Sequence, residues 1–429
     1  MSTYRGKTIS SIYEQLMTDV ITDGRLSNPR GKWTKSLSNV CLELENSVQN
    51  KFLIIPGRQL NYAFAMAEVL WILAGRGDIE YIGFYNKAMA KYLDDKKGDI
   101  DYKTMKTTHD LHASYGKRIR RAGYDESMSY LDFDENKFRG IDPVDDRAKL
   151  QKLLYPDGIE VDQFQMVYNK IQDDVNTRQA VVTLWDYRKD NFIKCADHPC
   201  NTQLMFEVED GGLNLTVIRR SNDIVWGLPY NIVQFSSVQE YMASWLGLKA
   251  GRYCEYINNL HIYTEEYPEL YKFFEEKVKN QDSFVLDLET IDNVINSVGS
   301  TLTSKAHMDR YIQYCFASEL EWRHKIHSGI HDEVLNLYIE KWLGELKTVT
   351  QNHYWSNTYK LLLAYHLYKA KKDEHVKTLV LSTSNQFRLM AAESMKRLTA
   401  DIIKPLYMGK ISKLIQGNME ELYTEVGIL

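Results

Sequence analysis

The stretch Ala196-Asp197-His198-Pro199-Cys200-Asn201, followed through to Arg219-Arg220-Ser221-Asn222-Asp223-Ile224-Val225-Trp226-Gly227-Leu228-Pro229-Tyr230-Asn231, decides how the chain is read. Between its ends, Gly211-Gly212 separates the alternating run Met205 to Val208 from a second run. In that second run Leu213, Leu215 and Val217 point one way and Asn214, Thr216 and Ile218 the other. Alternation of period two on both sides of a Gly-Gly turn predicts a β-hairpin. A hairpin brings its ends together, so Cys200 is expected beside the Arg220-Ser221 pair. A guanidinium close to a thiol favours the nucleophilic thiolate and can also hold an anionic substrate.

A cysteine alone is most often a small buried hydrophobe. What changes the reading is its company. Pro199-Cys200, then Arg220-Ser221-x-Asp223-x-x-x-Gly227-Leu228-Pro229-x-Asn231, then His261-Ile262-Tyr263 resembles the thymidylate synthase superfamily. The resemblance implies Cys200 as nucleophile, Arg220 and Ser221 as phosphate grip, Asn231 as reader of the base and His261 and Tyr263 on the sugar hydroxyl. It implies Asp223 at the pterin of 5,10-methylenetetrahydrofolate, with Trp226 and Gly227 beside it. The implied fold is α/β (α+β): a mixed sheet with surrounding helices, dimerising through that sheet.

Other segments fit around this core. Ser10 to Asp23 carries Ile12, Leu16, Val20 and Ile21 at helical spacing, and Gly24 to Lys32 reads as a loop. Within it, Asn28-Pro29-Arg30-Gly31 matches the family's phosphate-closing arginine better than Arg25 does. From Leu60 to Leu73 apolar residues recur at helical intervals up to Gly75, the expected stop. Glu68 lies inside that helix, where a carboxylate is costly unless protonated or hydrogen-bonded, so it is a functional candidate. The resemblance gives Glu68 proton transfer, and it gives Tyr115, in Ser114-Tyr115-Gly116-Lys117-Arg118, removal of the C5 proton.

The chain also departs from the family pattern. Ile82 to Met89 holds no Trp where the family usually lines its folate pocket with one or two. Trp226 stands where Leu is common, and Asn201 where His often follows the nucleophile. The turn Asn176-Thr177-Arg178-Gln179 keeps one of two arginines that the family donates to the neighbouring subunit. It leads into an expected strand at Ala180 to Trp185. Helix is expected from Asn231 to Leu246 and strand from Tyr256 to Tyr263.

The 429 residues suggest a catalytic domain with an addition. The expected division is 1–299 for the catalytic domain and 300–429 for a helical extension without chemical motifs. Met308–Tyr338, Trp342–Tyr368 and Phe387–Tyr407 are expected to be helix-rich, with breaks near Gly329 and Lys371–Glu374. The polar run Asp134 to Asp162 reads as a surface insertion. Hydrophobic residues make up 44% and no apolar run has membrane-spanning length. The N-terminus lacks a signal-peptide core, and five cysteines without CxxC or zinc spacing suit a reducing compartment, so a cytoplasmic protein without a metal is expected. A net charge of −5 argues against direct nucleic-acid binding.

The pyrimidine deoxynucleotide is expected to be dUMP, because Asn231 offers a donor and an acceptor matching the O4 and N3–H edge of uracil. Hydride from the folate would give a methyl product, and water a hydroxymethyl product. The departures at Phe84 to Met89, Trp226 and Asn201 lean toward hydroxymethylation of the kind phages use to modify their DNA. Thymidylate synthesis and dCMP hydroxymethylation are the alternatives. A non-catalytic nucleotide-binding regulator is opposed by the joint retention of Cys200, Glu68, Tyr115 and Asn231.

Overall fold

The structure is a computed structural model that describes residues 2–45, 47, 51–55, 58–93, 100, 102, 109–122, 161–191, 195–283, 285, 304–399 and 401–402. Most of the Asp134–Asp162 insertion and the end of the Phe387–Tyr407 segment lie outside the described residues.

An eight-stranded mixed sheet forms the centre. In chain order come β1 (Ser2–Gly6), α1 (Ile9–Asp23), β2 (Arg25–Ser27), β3 (Thr34–Leu44), α2 (Tyr62–Leu73), α3 (Ile79–Tyr85), α4 (Tyr115–Arg120) and α5 (Gln163–Asp173). Then follow β4 (Val181–Thr183), β5 (Asn201–Glu209), β6 (Gly212–Arg219), β7 (Asn222–Asp223), α6 (Leu228–Leu246), β8 (Lys249–Tyr263) and α7 (Pro268–Asn280). The strand order is β1-β3-β8-β6-β5-β4, with β2 on β3 and β7 on β8.

The expected hairpin is present. Asp210 and Gly211, at φ 51° and 74°, make its turn, and Glu209 pairs with Gly212. Two consecutive left-handed residues match the twist of the flanking strands. β8 pairs antiparallel with β3 and parallel with β6, placing strands remote in sequence side by side. The short β7 then sets Asn222 and Asp223 beside Leu260 and His261.

α2 starts at Asn61, whose Oδ1 accepts from Phe64 N at 3.1 Å, and ends before Gly75 at φ 70°. Of its twelve residues only Glu68 is not fully buried. Two expected strands differ in extent: β8 begins at Lys249 rather than Tyr256, and β4 covers only Val181–Thr183 of Ala180–Trp185. Helix α6 begins three residues before Asn231, with Pro229 in its first turn, where a missing N–H costs nothing.

After residue 304 the described chain is helical: α8 (Lys305–Ile326), α9 (Asp332–Val349), α10 (His353–Lys369), α11 (Asp373–Leu381) and α12 (Asn385–Ser394). The breaks at Gly329 (φ 80°) and Lys371 (φ 60°) are where they were expected. A further break at Thr350–Asn352 divides the helix-rich stretch Trp342–Tyr368. There Asn352 Oδ1 caps Tyr354 N at 2.9 Å and starts a new helix.

These helices are built into the core around α2 and α3. Glu393 accepts from Leu60 N at 3.3 Å and Ser394 Oγ from Ala63 N at 3.0 Å, capping the helix that carries Glu68. Arg323, paired with Glu319 at 2.6 Å, donates to the carbonyls of Glu80 and Tyr81 at 2.9 and 3.0 Å.

Candidate active site

Cys200 immediately precedes β5 and Arg220 immediately follows β6, so the hairpin register sets them together. Arg220 N donates to Cys200 O at 2.9 Å, and its guanidinium lies 3.8 Å from Cys200 Sγ. Arg220 Nε donates to Pro199 O at 2.8 Å, which holds the guanidinium over the nucleophile's loop. Tyr115, at the start of α4, accepts from the amides of Cys200 and Asn201 at 3.1 and 3.2 Å. Burial pushes the Cys200 thiol up, against the lowering influence of Arg220, Arg219 and Arg30. The guanidinium's influence thus runs in the expected direction, toward the thiolate, while desolvation opposes it.

Arg30 sits exposed at φ 55° between Pro29 and Gly31, and its charge acts on Cys200, His261 and Tyr263. Ser221 Oγ is 3.5 Å from His261 Nδ1, and the His261 and Tyr263 rings meet edge-on at 5.2 Å. Asp223 accepts from the amides of Val225 and Trp226 at 2.7 and 2.9 Å, forming the turn into α6. Burial raises its carboxyl against the pull of His261, and burial holds His261 below the ordinary imidazole range. Asn231 Nδ2 donates to Asn222 Oδ1 at 3.0 Å. Gly227 permits this packing, since a Cβ there would meet Asn222 Oδ1 at 2.3 Å.

Gln234 on α6 donates to the Glu68 carboxylate. Burial raises the Glu68 carboxyl to about 8 despite that bond, with Asp197 adding to the rise. At neutral pH it is mainly protonated and can act as an acid. Arg178 stays apart: it is exposed, and its side chain has no hydrogen bond or ion pair with the described residues.

Two residues escaped the sequence reading. Arg58 is 3% exposed, and its guanidinium nitrogens have no hydrogen-bond partner among the described residues. It lies over the Trp226 ring at 4.2 Å and Tyr230 at 5.4 Å. The signal available was a lone Arg just before an apolar helix. Tyr92 lies within the electrostatic reach of Cys200, Asp197 and Asp223, and burial pushes its hydroxyl up to about 12. Phe84 and Tyr85, in the segment without Trp, instead meet the C-terminal helices. Phe84 stacks on His366 at 4.2 Å, and the Tyr85 hydroxyl lies 3.2 Å from His366 Nε2. Asn201 is buried and accepts from Arg219, which pairs with Glu255 at 2.6 Å.

The family model described as thymidylate synthase matches residues 11–304. The chain belongs to the thymidylate synthase family. It is 33% identical over 269 residues to the deoxyuridylate hydroxymethyltransferase of Bacillus phage SP01, covering 62% of this chain and 60% of that protein. It is 28% identical over 210 residues to the deoxyuridylate hydroxymethyltransferase of Pseudomonas phage M6, covering 48% and 46%. To the thymidylate synthase of Symbiobacterium thermophilum it is 24% identical over 301 residues, covering 64% and 91%. The match thus spans about half to three fifths of the two phage proteins. Among the described residues of this thymidylate synthase family member, no helix is long and apolar enough to cross a membrane.

Proposed function

We propose that this chain transfers a one-carbon unit to C5 of dUMP, giving 5-hydroxymethyl-dUMP, with Cys200 as the covalent nucleophile. Carbon 5 of a pyrimidine is a weak nucleophile, and thiolate addition at C6 makes it part of an enolate. Cys200 gives an electron pair to C6. Once C5 holds the new carbon, loss of the C5 proton would release the carrier with its electron pair and leave an exocyclic methylene. Water adds to that methylene and gives up a proton to solvent, and the electron pair returned to the ring forms the C5–C6 double bond as the C6–S bond breaks, returning the Cys200 thiolate. The observation that carries this reading is the convergence on Cys200 of the Arg220 guanidinium at 3.8 Å and the Tyr115 hydroxyl on its amide at 3.1 Å. Substrate phosphate drawn to Arg220, Ser221 and Arg30 brings C6 to the sulfur. Asn231 reads the uracil edge, while His261 and Tyr263 take the 3′-hydroxyl.

5,10-Methylenetetrahydrofolate supplies the one-carbon unit when bound. The residues fit such a ligand: the buried Arg58, without a hydrogen bond among the described residues, suits its anionic end, with Trp226 beside it and Asp223 available for the pterin. A hydroxymethyl product requires water near C5. The two phage relatives' names support that outcome. A homodimer through the sheet, with Arg178 serving the neighbouring site, fits the exposure of Val181 (39%) and Met205 (38%) on β4 and β5.

The test is release of tritium from 5-tritiated dUMP in the presence of methylenetetrahydrofolate. Release by the wild type, lost in Cys200→Ser while that variant still binds dUMP, is the expected result. Near-normal release by Cys200→Ser would remove the covalent mechanism.

A further inference from the structure

A second set of reactive side chains stands just ahead of the nucleophile and has no part in the chemistry above. One ring nitrogen of His112, one of His198 and the Cys195 sulfur lie within 4.8 Å of one another. Cys195 Sγ is 3.5 Å from His198 Nε2, and the two imidazole rings are 6.1 Å apart, nearly perpendicular. Two ligands of a tetrahedral zinc ion, bound at ~2.3 Å through sulfur and ~2.0 Å through nitrogen, themselves stand roughly 3.5 Å apart. The Cys195–His198 separation matches that of two ligands on one ion, and His112 stands within reach of both.

Their surroundings suit it too. His112 Nε2 is 2.9 Å from Asp190 Oδ1. Asp190 is fixed by a two-pronged bond from Arg118 at 2.7 and 2.8 Å. An imidazole anchored to a carboxylate through one nitrogen presents the other as a lone pair, an arrangement common behind metal ligands. His198 Nδ1 is buried without a hydrogen-bond partner among the described residues. Its ring is packed near-parallel to Trp185 at 6.2 Å.

We propose that His112, Cys195 and His198 bind one divalent ion of the zinc class, leaving a fourth position for water or another ligand. A thiolate with two imidazoles selects such borderline ions over magnesium or calcium, which prefer oxygen. On binding, the Cys195 S–H bond breaks, its proton passes to solvent and the sulfur lone pair forms the metal–sulfur bond. No electron is transferred. The ion joins two segments that meet at the site: His112 lies three residues before Tyr115, and His198 two before Cys200. It acts as a clip that holds the nucleophile's loop against the start of α4.

Full-length protein stripped with a chelator and reloaded with zinc chloride is expected to retain one equivalent per chain after gel filtration. Cobalt(II) in its place should give a sulfur-to-metal charge-transfer band. In Cys195→Ser that band should vanish, and zinc affinity should fall by roughly 100-fold or more, beyond the cost of losing an outer partner. His198→Gln should also lose stoichiometric zinc, whereas Cys200→Ser should keep both zinc and the band. Absence of stoichiometric zinc in the wild type overturns the proposal. So does a band that disappears in Cys200→Ser and persists in Cys195→Ser. The wild-type measurement decides even if a variant fails to fold.

Discussion

Gln234 donates its side-chain amide to the buried Glu68 carboxyl across the contact between α6 and α2. A neutral amide compensates only part of the desolvation, so the carboxyl rises to about 8. A group whose folded value lies above its unfolded one stabilises the fold fully below the unfolded value, and that contribution is lost as pH rises through the folded value. Stability should therefore decline between pH 4.5 and about 8. Glu68→Gln should flatten that decline while lowering kcat by roughly 10²- to 10⁴-fold, the usual worth of a positioned acid or base. Denaturant melts across this pH range, matched with turnover, check both. Identical pH slopes in wild type and variant would show that Glu68 is not the buried titrating group.

Arg58 is a buried cation whose guanidinium has no hydrogen bond among the described residues. A buried unpaired cation costs stability, so Arg58→Met should stabilise the ligand-free protein by about 1 kcal/mol or more. The same change should raise the KM for methylenetetrahydrofolate by roughly 10-fold or more, the loss of one charged hydrogen-bonding contact. It should leave dUMP binding within a few-fold. Thermal melts and substrate titrations read the two effects separately. A KM unchanged for folate but raised for dUMP would move Arg58 to the nucleotide.

Mixing Arg178→Ala subunits with Cys200→Ser subunits should restore activity. If each arginine serves the opposite site, one site of the mixed dimer carries both lesions and the other carries neither. Half of wild-type activity per mixed dimer is expected after demonstrated subunit exchange. No recovery would confine Arg178 to its own subunit.

The sequence revealed the sheet hairpin, α2 and the residues around Cys200 because each is written locally. Alternation marks β5 and β6, helical spacing marks α2, and Arg220-Ser221-x-Asp223 is continuous. Arg58 and Tyr92 were hidden because their importance comes from packing: Arg58 becomes an unpaired charge only when Trp226 and Tyr230 close over it. The grouping of His112 with Cys195 and His198 was equally hidden, since His112 stands 86 positions before His198. The helical character of the chain after residue 304 was legible, but the capping of α2 through Glu393 and Ser394 was not, because those contacts cross more than 300 positions.

The central claim is tested most directly by incubating the protein with dUMP and methylenetetrahydrofolate, taking the mass of the nucleotide and following folate absorbance. Only methyl formation oxidises the folate. The expected result is 5-hydroxymethyl-dUMP with no rise in dihydrofolate absorbance. A stoichiometric rise accompanied by dTMP would contradict it, and would leave Cys200 as the nucleophile of a thymidylate synthase.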